Sequence, residues 1–158
     1  MAVDVFLKLG DIGGESADSA HKGEIDVLSW SWGIAQSGTM ASGGGGGAGK
    51  ASFSDLSFMH NFDKASPAIM TACATGTHIP EATLTSRKAG KGQQEYIIYK
   101  LTDILVTGVQ SSGSSEHPVE SVSMQFAKVD IEYKPQKPDG SLDAGVHFIY
   151  DIKGNKEG

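Results

Sequence analysis

The residues most suggestive of chemistry are Gly44-Gly-Gly-Gly-Ala-Gly49-Lys50, which satisfy the G-x-x-x-x-G-K spacing of a phosphate-binding loop. Such a loop needs two more things. A hydroxyl must follow the lysine to hold magnesium, and a helix must follow so that its first amides cradle the phosphates. Here the next residue is Ala51, and the stretch from Phe53 to Phe58 reads as a strand. The run is therefore expected to be a long excursion between strands. Gly43, Gly44, Gly45, Gly46, Gly47, Gly49 and Lys50 sit in a Gly-rich extended loop over residues 38–51. Glycine loses the most backbone freedom on ordering, so a loop of this composition is expected to settle only against another surface.

The other reactive side chains form no constellation. His21, His60, His78, His117 and His147 lack the short ligand spacing of a zinc helix, and the single Cys73 has no partner for a disulfide or thiolate site. Cys73 shares a helical face with Ile69 and Met70, which favours a buried small hydrophobe over a nucleophile paired with His78. No G-x-S-x-G elbow is present. The reading is of a chain without catalytic residues, metal or cofactor. One segment remains, Ser29-Trp-Ser-Trp-Gly33. Strand side chains alternate, so if Trp30 and Trp32 enter the core, Ser29, Ser31 and Gly33 form a smooth, weakly demanding face behind them. Such a face, with Ser31 at its centre, suits the lining of a channel or a surface that accepts varied partners.

The elements that position these residues are mostly strands. The 158 residues fit one domain, with 39% hydrophobic residues, 21 glycines and a formal charge of −6. One arginine, Arg87, and scattered lysines provide no basic stripe, so nucleic acid is not an expected partner. No stretch is long and apolar enough to insert in a membrane, and the opening MAVDVFLKLG does not read as a cleaved leader. Val3, Val5, Leu7 and Leu9 alternate as a first strand. Glu24–Ser37 reads as a second whose apolar parity switches at Val27–Leu28, which implies a bulge or bend. Ser66 (cap), Pro67 (first turn) and Gly76 (stop) bound one short helix over about Ser66–Thr75. A hairpin follows, with strands over Ile79–Arg87 and about Gln94–Val109. Residues Tyr96–Val106 are apolar on both faces, so a helix, a partner or both must cover them. A long strand through Val122–Tyr133 changes parity at an expected bulge near Ala127–Lys128, a last strand holds Val146, Phe148 and Tyr150, and residues 153–158 form a flexible tail. The expected fold is mainly β: a small barrel of two antiparallel sheets, seven strands, with one short flanking helix.

Taken in order, the segments MAVDVFLKLGDIGGES, EIDVLSWSWGIAQSG, GGGGGAGK, DLSF, DKASPAIMTACATG, TSRKAGKGQQEY and QFAKVDIEYKPQKPDGS resemble the haemolysin-coregulated protein (Hcp) family, the tube protein of bacterial type VI secretion. The resemblance runs from Met1 to about Tyr150. It implies a single tube domain over residues 1–158 that assembles as a homohexameric ring. Rings stack into a tube inside a contractile sheath, beneath a spike of the VgrG family. The tube is cytoplasmic until it is expelled, without a cleaved signal peptide, and effectors can ride in its lumen. On that resemblance the strand edges and the two-faced Tyr96–Val106 strand are expected to form the lateral ring contacts, the Gly43–Lys50 run the ring-stacking loop, and Ser31 the lumen face that touches cargo. Some family members carry an extra C-terminal toxin domain, and a chain stopping at Gly158 is expected to lack one. Two other readings fit the strand pattern: a phage-type tail-tube protein, and a barrel that binds a small ligand.

Overall fold

The computed structural model of the protein describes residues 3–38, 49–88, 92 and 94–158. It is mainly β, antiparallel, with one short helix. Strands β1 (Val3–Leu9), β2 (Ile25–Asp26), β3 (Ser29–Ser31), β4 (Ile34–Ala35), β5 (Ser52–Phe53) and β6 (Leu56–Asn61) precede helix α1 (Ser66–Thr75). Then come β7 (Ile79–Lys88), β8 (Gln94–Ser112), β9 (Val119–Tyr133), β10 (Val146–Asp151) and β11 (Lys156–Glu157).

Nine strands form one sheet in the order β11-β10-β9-β8-β7-β1-β2, with β6 also on β9 and β3 on β6; β4 and β5 form a second, two-stranded sheet. The ladder does not close. Residues 25–31 span the gap, pairing with β1 through β2 and with β6 through β3. The expected parity switch lies in this span, but it is a change of partner and not a bulge. Val27 N–H donates to Val5 O at 2.9 Å, and the next amide, Leu28 N–H, donates to Met59 O on the other side at 2.7 Å. The expected single strand is thus three short ones on three different neighbours. Likewise Phe53 and Leu56–Phe58 belong to two strands, because β5 pairs with β4 while β6 pairs with β3 and β9.

The long strands β8 and β9 switch buried parity together. Tyr99 and Leu101 give way to Ile104 and Val106 on β8, and Val129 gives way to Phe126, Met124 and Val122 on β9. The register on either side is the same, Thr102 opposite Lys128 and Ile104 opposite Phe126, so neither strand carries an extra residue here. Asp103 takes the kink with φ 56°, a conformation that aspartate tolerates better than most side chains. Opposite it, Ala127 turns its carbonyl to Ile152 N–H and Lys153 N–H, at 2.8 and 3.2 Å. The one register shift between these strands lies at Val106/Gly108.

The core contains Leu7, Leu9, Ile25, Leu56, Phe58, Leu84, Leu101, Ile104, Val122 and Met124, all at most 2% exposed, with Trp30 and Trp32 packed against it half-buried. Helix α1 packs on β8 and supplies Ile69 and Ala72, which accounts for part of that strand's two-sided apolar character. Pro67 lies in the first turn and Gly76 ends the helix at φ 66°. Ser66 is not its cap: Ala65 holds that position, and Ser66 Oγ accepts from Asp63 N–H at 3.1 Å. The tail turns back, so that β11 pairs with Tyr150 and Asp151.

A fully buried polar pair crosses the core edge. His60 and Glu120 are register partners on β6 and β9, both 0% exposed, with Nε2 2.8 Å from Oε1. Removing one member strands the other where water cannot compensate it, whereas replacing both removes the need. Glu120→Leu is expected to destabilise the fold by about 3 kcal/mol. The double change His60→Phe with Glu120→Leu should recover most of that loss in urea denaturation.

Candidate functional site

The segment after Lys50 is strand β5, paired with β4, where a phosphate loop would need a helix. Gly43–Gly47 lie outside the described residues; Gly49 and Lys50 are exposed. The groove beside Lys50, about 260 Å³, is lined also by Phe53, Ser54, Gln125, Phe126 and Ile152, and Lys50 is its single ionisable lining residue. His78 pairs with Asp103 at 2.6 Å, both exposed, rather than with Cys73, which packs against the core from α1. Among the described residues no three His, Cys, Asp or Glu side chains converge to hold a metal. His21 shows why nearness is not enough. Its Nδ1 faces Glu24 at 3.0 Å and its Nε2 faces Glu95 at 3.2 Å, on opposite sides of the ring.

Sequence reasoning missed a built polar cluster around that histidine. Phe6 shares its face of β1 with Asp4 and Lys8, opposite Val5, Leu7 and Leu9, yet it is 4% exposed. The loop over residues 10–24 folds across it and stacks His21 on its ring, centroids 4.5 Å apart and planes within 7°. Arg87, 3% exposed, sits over the same ring at 4.9 Å and donates to Asp18 at 2.7 and 2.9 Å and to Asp4 at 3.2 Å. The guanidinium's hydrogen bonds hold the Asp18 carboxyl down at about 2. Burial pushes the Asp26 carboxyl up, aided by Asp63, Asp4 and Asp18. The chain's only arginine is therefore a fastener for a loop. A lone arginine between distant acidic residues in an otherwise lysine-based chain is the signal that was there to read.

Ser31 is exposed on β3, and the register places it in a larger surface. The row Ser31–Ser57–Ser123–Gly108 crosses β3, β6, β9 and β8, and beside it runs Ser29–Met59–Ser121–Gln110. Between them the row Trp30–Phe58–Val122–Val109 points the other way, into the core. The tryptophan parity argument holds for Ser29 and Ser31, which are exposed. Gly108 keeps the face flat, since a Cβ there would lie 2.8 Å from Ser123 Oγ. Neither row carries a charge. At its border the Asp55 carboxylate accepts from Thr107 at 2.6 Å and from Gln125 at 3.1 Å. Met59 (39%) is the exposed apolar member of this face, with Leu28 (56%) beside it, while Val146 (61%), Phe148 (38%), Ile149 (38%) and Tyr133 (45%) lie on β10 and the end of β9.

The described residues thus form a mainly β domain with a smooth hydroxyl face on four strands and exposed apolar side chains on β10. The family model "Type VI secretion system effector, Hcp" matches residues 6–133. The chain is 50% identical over 159 aligned residues to Protein hcp1 of Pseudomonas aeruginosa, covering 98% of each chain. A crystal structure of Hcp1 from Salmonella typhimurium superposes with a TM-score of 0.82 at 43% identity, covering 99% of both chains. A solved type six secretion system protein superposes with a TM-score of 0.92 at 31% identity, covering 99% of this chain and all of the other. The chain belongs to the Hcp family of type VI secretion proteins.

The loop fastener yields a test. A carboxyl whose folded pKa is depressed stabilises the fold above its ordinary pKa near 3.9 and loses that contribution as pH falls through about 2. Asp18→Asn removes the effect and leaves Arg87 with Asp4 alone. Trypsin cleavage after exposed Lys22 should accelerate severalfold in the variant, while the far-ultraviolet spectrum stays β-like. Unchanged cleavage would show that Asp18 does not hold the loop.

Proposed function

We propose that the chain is a structural tube subunit and not an enzyme. It forms hexameric rings that stack into an expelled tube, with Ser31 and its serine row facing the lumen where effectors ride. The observation that carries this is the uncharged face of four strands, held flat by register and by Gly108, in a chain of the Hcp family. A wall of hydroxyls and one thioether meets varied cargo without demanding a complementary charge. The partners follow from the same reading: further copies of the chain, a spike of the VgrG family, a contractile sheath and secreted effectors. The chain waits in the cytoplasm and leaves through the type VI system.

The lateral seam is better placed at a strand edge than on β8. Strand β8 pairs with β9 along its length and with β7 as far as Ile104, with α1 packed on it, so the apolar stretch Ile97–Ile104 has no free backbone edge. By contrast β10 is covered on its outer side only over residues 149–151, where β11 pairs with Tyr150 and Asp151 and Gly158 N–H donates to Ile149 O at 3.3 Å, and it exposes Val146, Phe148 and Ile149. A ring uses two different patches joined head to tail. An apolar strand edge suits one of them.

Three outcomes are expected. Negative-stain images of the purified protein show rings with a central hole, and a monomer alone across micromolar concentrations in native mass spectrometry would overturn the assembly. Deleting residues 38–51 leaves rings but stops their stacking; loss of rings as well would refute that role for the loop. Ser31→Glu leaves rings intact and abolishes effector co-purification, and unchanged co-purification would remove Ser31 from the cargo surface.

A further inference from the structure

Strand β10 is fastened unevenly. β9 pairs with it from Val146 to Asp151, while β11 reaches only Tyr150 and Asp151. Over Val146–Phe148 it is an edge strand with exposed apolar side chains, an arrangement that needs a local restraint. His147 stands in the middle of this stretch. It is the register partner of Glu132, and its ring lies between two β9 carboxylates, Nδ1 2.8 Å from Asp130 Oδ1 and Nε2 3.4 Å from Glu132 Oε2. A neutral imidazole has one N–H and can serve only one of them; the imidazolium serves both. The Glu132 side chain is seated over Gly145, where a Cβ would collide with its Cγ, Cδ and Oε2. Lys100 of β8, register partner of Asp130, is the remaining charge facing the ring. Along β10 the next charge, Asp151, faces Lys128 and Lys156 instead.

We propose that His147 is a protonation-dependent clasp that holds the edge strand β10 on the sheet, and that losing its proton loosens the Val146–Ile149 edge. The hydrogen bond with Asp130 holds the imidazole above its ordinary 6.5, with Asp130 and Glu132 charges adding to it against burial and Lys100. A group whose folded pKa is raised contributes stability that is fully present below its unfolded value and is lost as pH rises through the folded one. The clasp is therefore closed in mild acid and opens toward alkaline pH. With the histidine 42% exposed the pair is a surface one, and its effect is local to β10. The clasp requires no partner and does not rest on the tube reading.

Hydrogen exchange on the full chain tests it, read as protection factors so that intrinsic exchange cancels. In the wild type, the peptide covering residues 145–152 loses protection severalfold between about pH 6 and about pH 9, either side of the ordinary imidazole value, while β7 and β8 do not. His147→Gln sits at the weakly protected level throughout. Retention of the wild-type pH dependence in that variant overturns the proposal, as does a loss spread equally over β7 and β8. A nuclear magnetic resonance titration of the His147 ring gives a second readout. Asp130→Asn moves its midpoint down, and an unmoved midpoint sinks the clasp.

Discussion

The constraint on which the fold depends is the handover between two consecutive amides. Val27 bonds to β1 and Leu28 bonds to β6. Because the chain changes neighbour there, one short span fills the gap in an otherwise open nine-stranded ladder. The same handover sets the parity of everything after it. Trp30 and Trp32 turn inward, and Ser29 and Ser31 turn outward. A slip of one residue would bury the serines and expose two indoles, a difference of several kcal/mol at roughly 25 cal/mol per Å² of apolar surface. Leu28 is the residue left outside by the manoeuvre, which is why a large aliphatic side chain sits 56% exposed beside Met59.

Polar groups do the remaining fixing. Hydrophobic burial is non-directional, so it favours a collapsed sheet without choosing one arrangement of loops. Arg87 chooses for the loop over residues 10–24 by donating to Asp18 and Asp4 over the Phe6 ring. His60 and Glu120 choose the β6–β9 register, because a shift would leave both without a partner at zero exposure. These are narrow, directional contacts on a broad apolar base.

Much of the architecture was legible in the residues. Alternation revealed β1, β7, β9 and β10, while Pro67 and Gly76 bounded the helix. Ala51 and the strand after it disposed of the phosphate-loop reading. What stayed hidden depended on contacts distant in sequence. A parity switch looks the same whether it is a bulge, a change of neighbour at Val27–Leu28 or a paired kink at Asp103 and Ala127, since all three move apolar residues by one position. Phe6 could not be assigned to a buried outer face until His21 was seen to stack on it. For the candidate site, parity placed Ser31 opposite Trp30. It took the register of four strands to show that Ser57 and Ser123 continue the row.

In the proposed tube, that row would line the passage. A passage bounded by fixed charges gathers counter-ions, favours one sign of solute and grips oppositely charged surfaces through long-range fields. The two rows from Ser31 to Gly108 and from Ser29 to Gln110 have no such charges, so their attraction for a passing molecule falls off within a hydrogen bond's length. A conduit walled this way would be nearly frictionless toward differently charged passengers, and its contents could be held by shape and released by dilution alone.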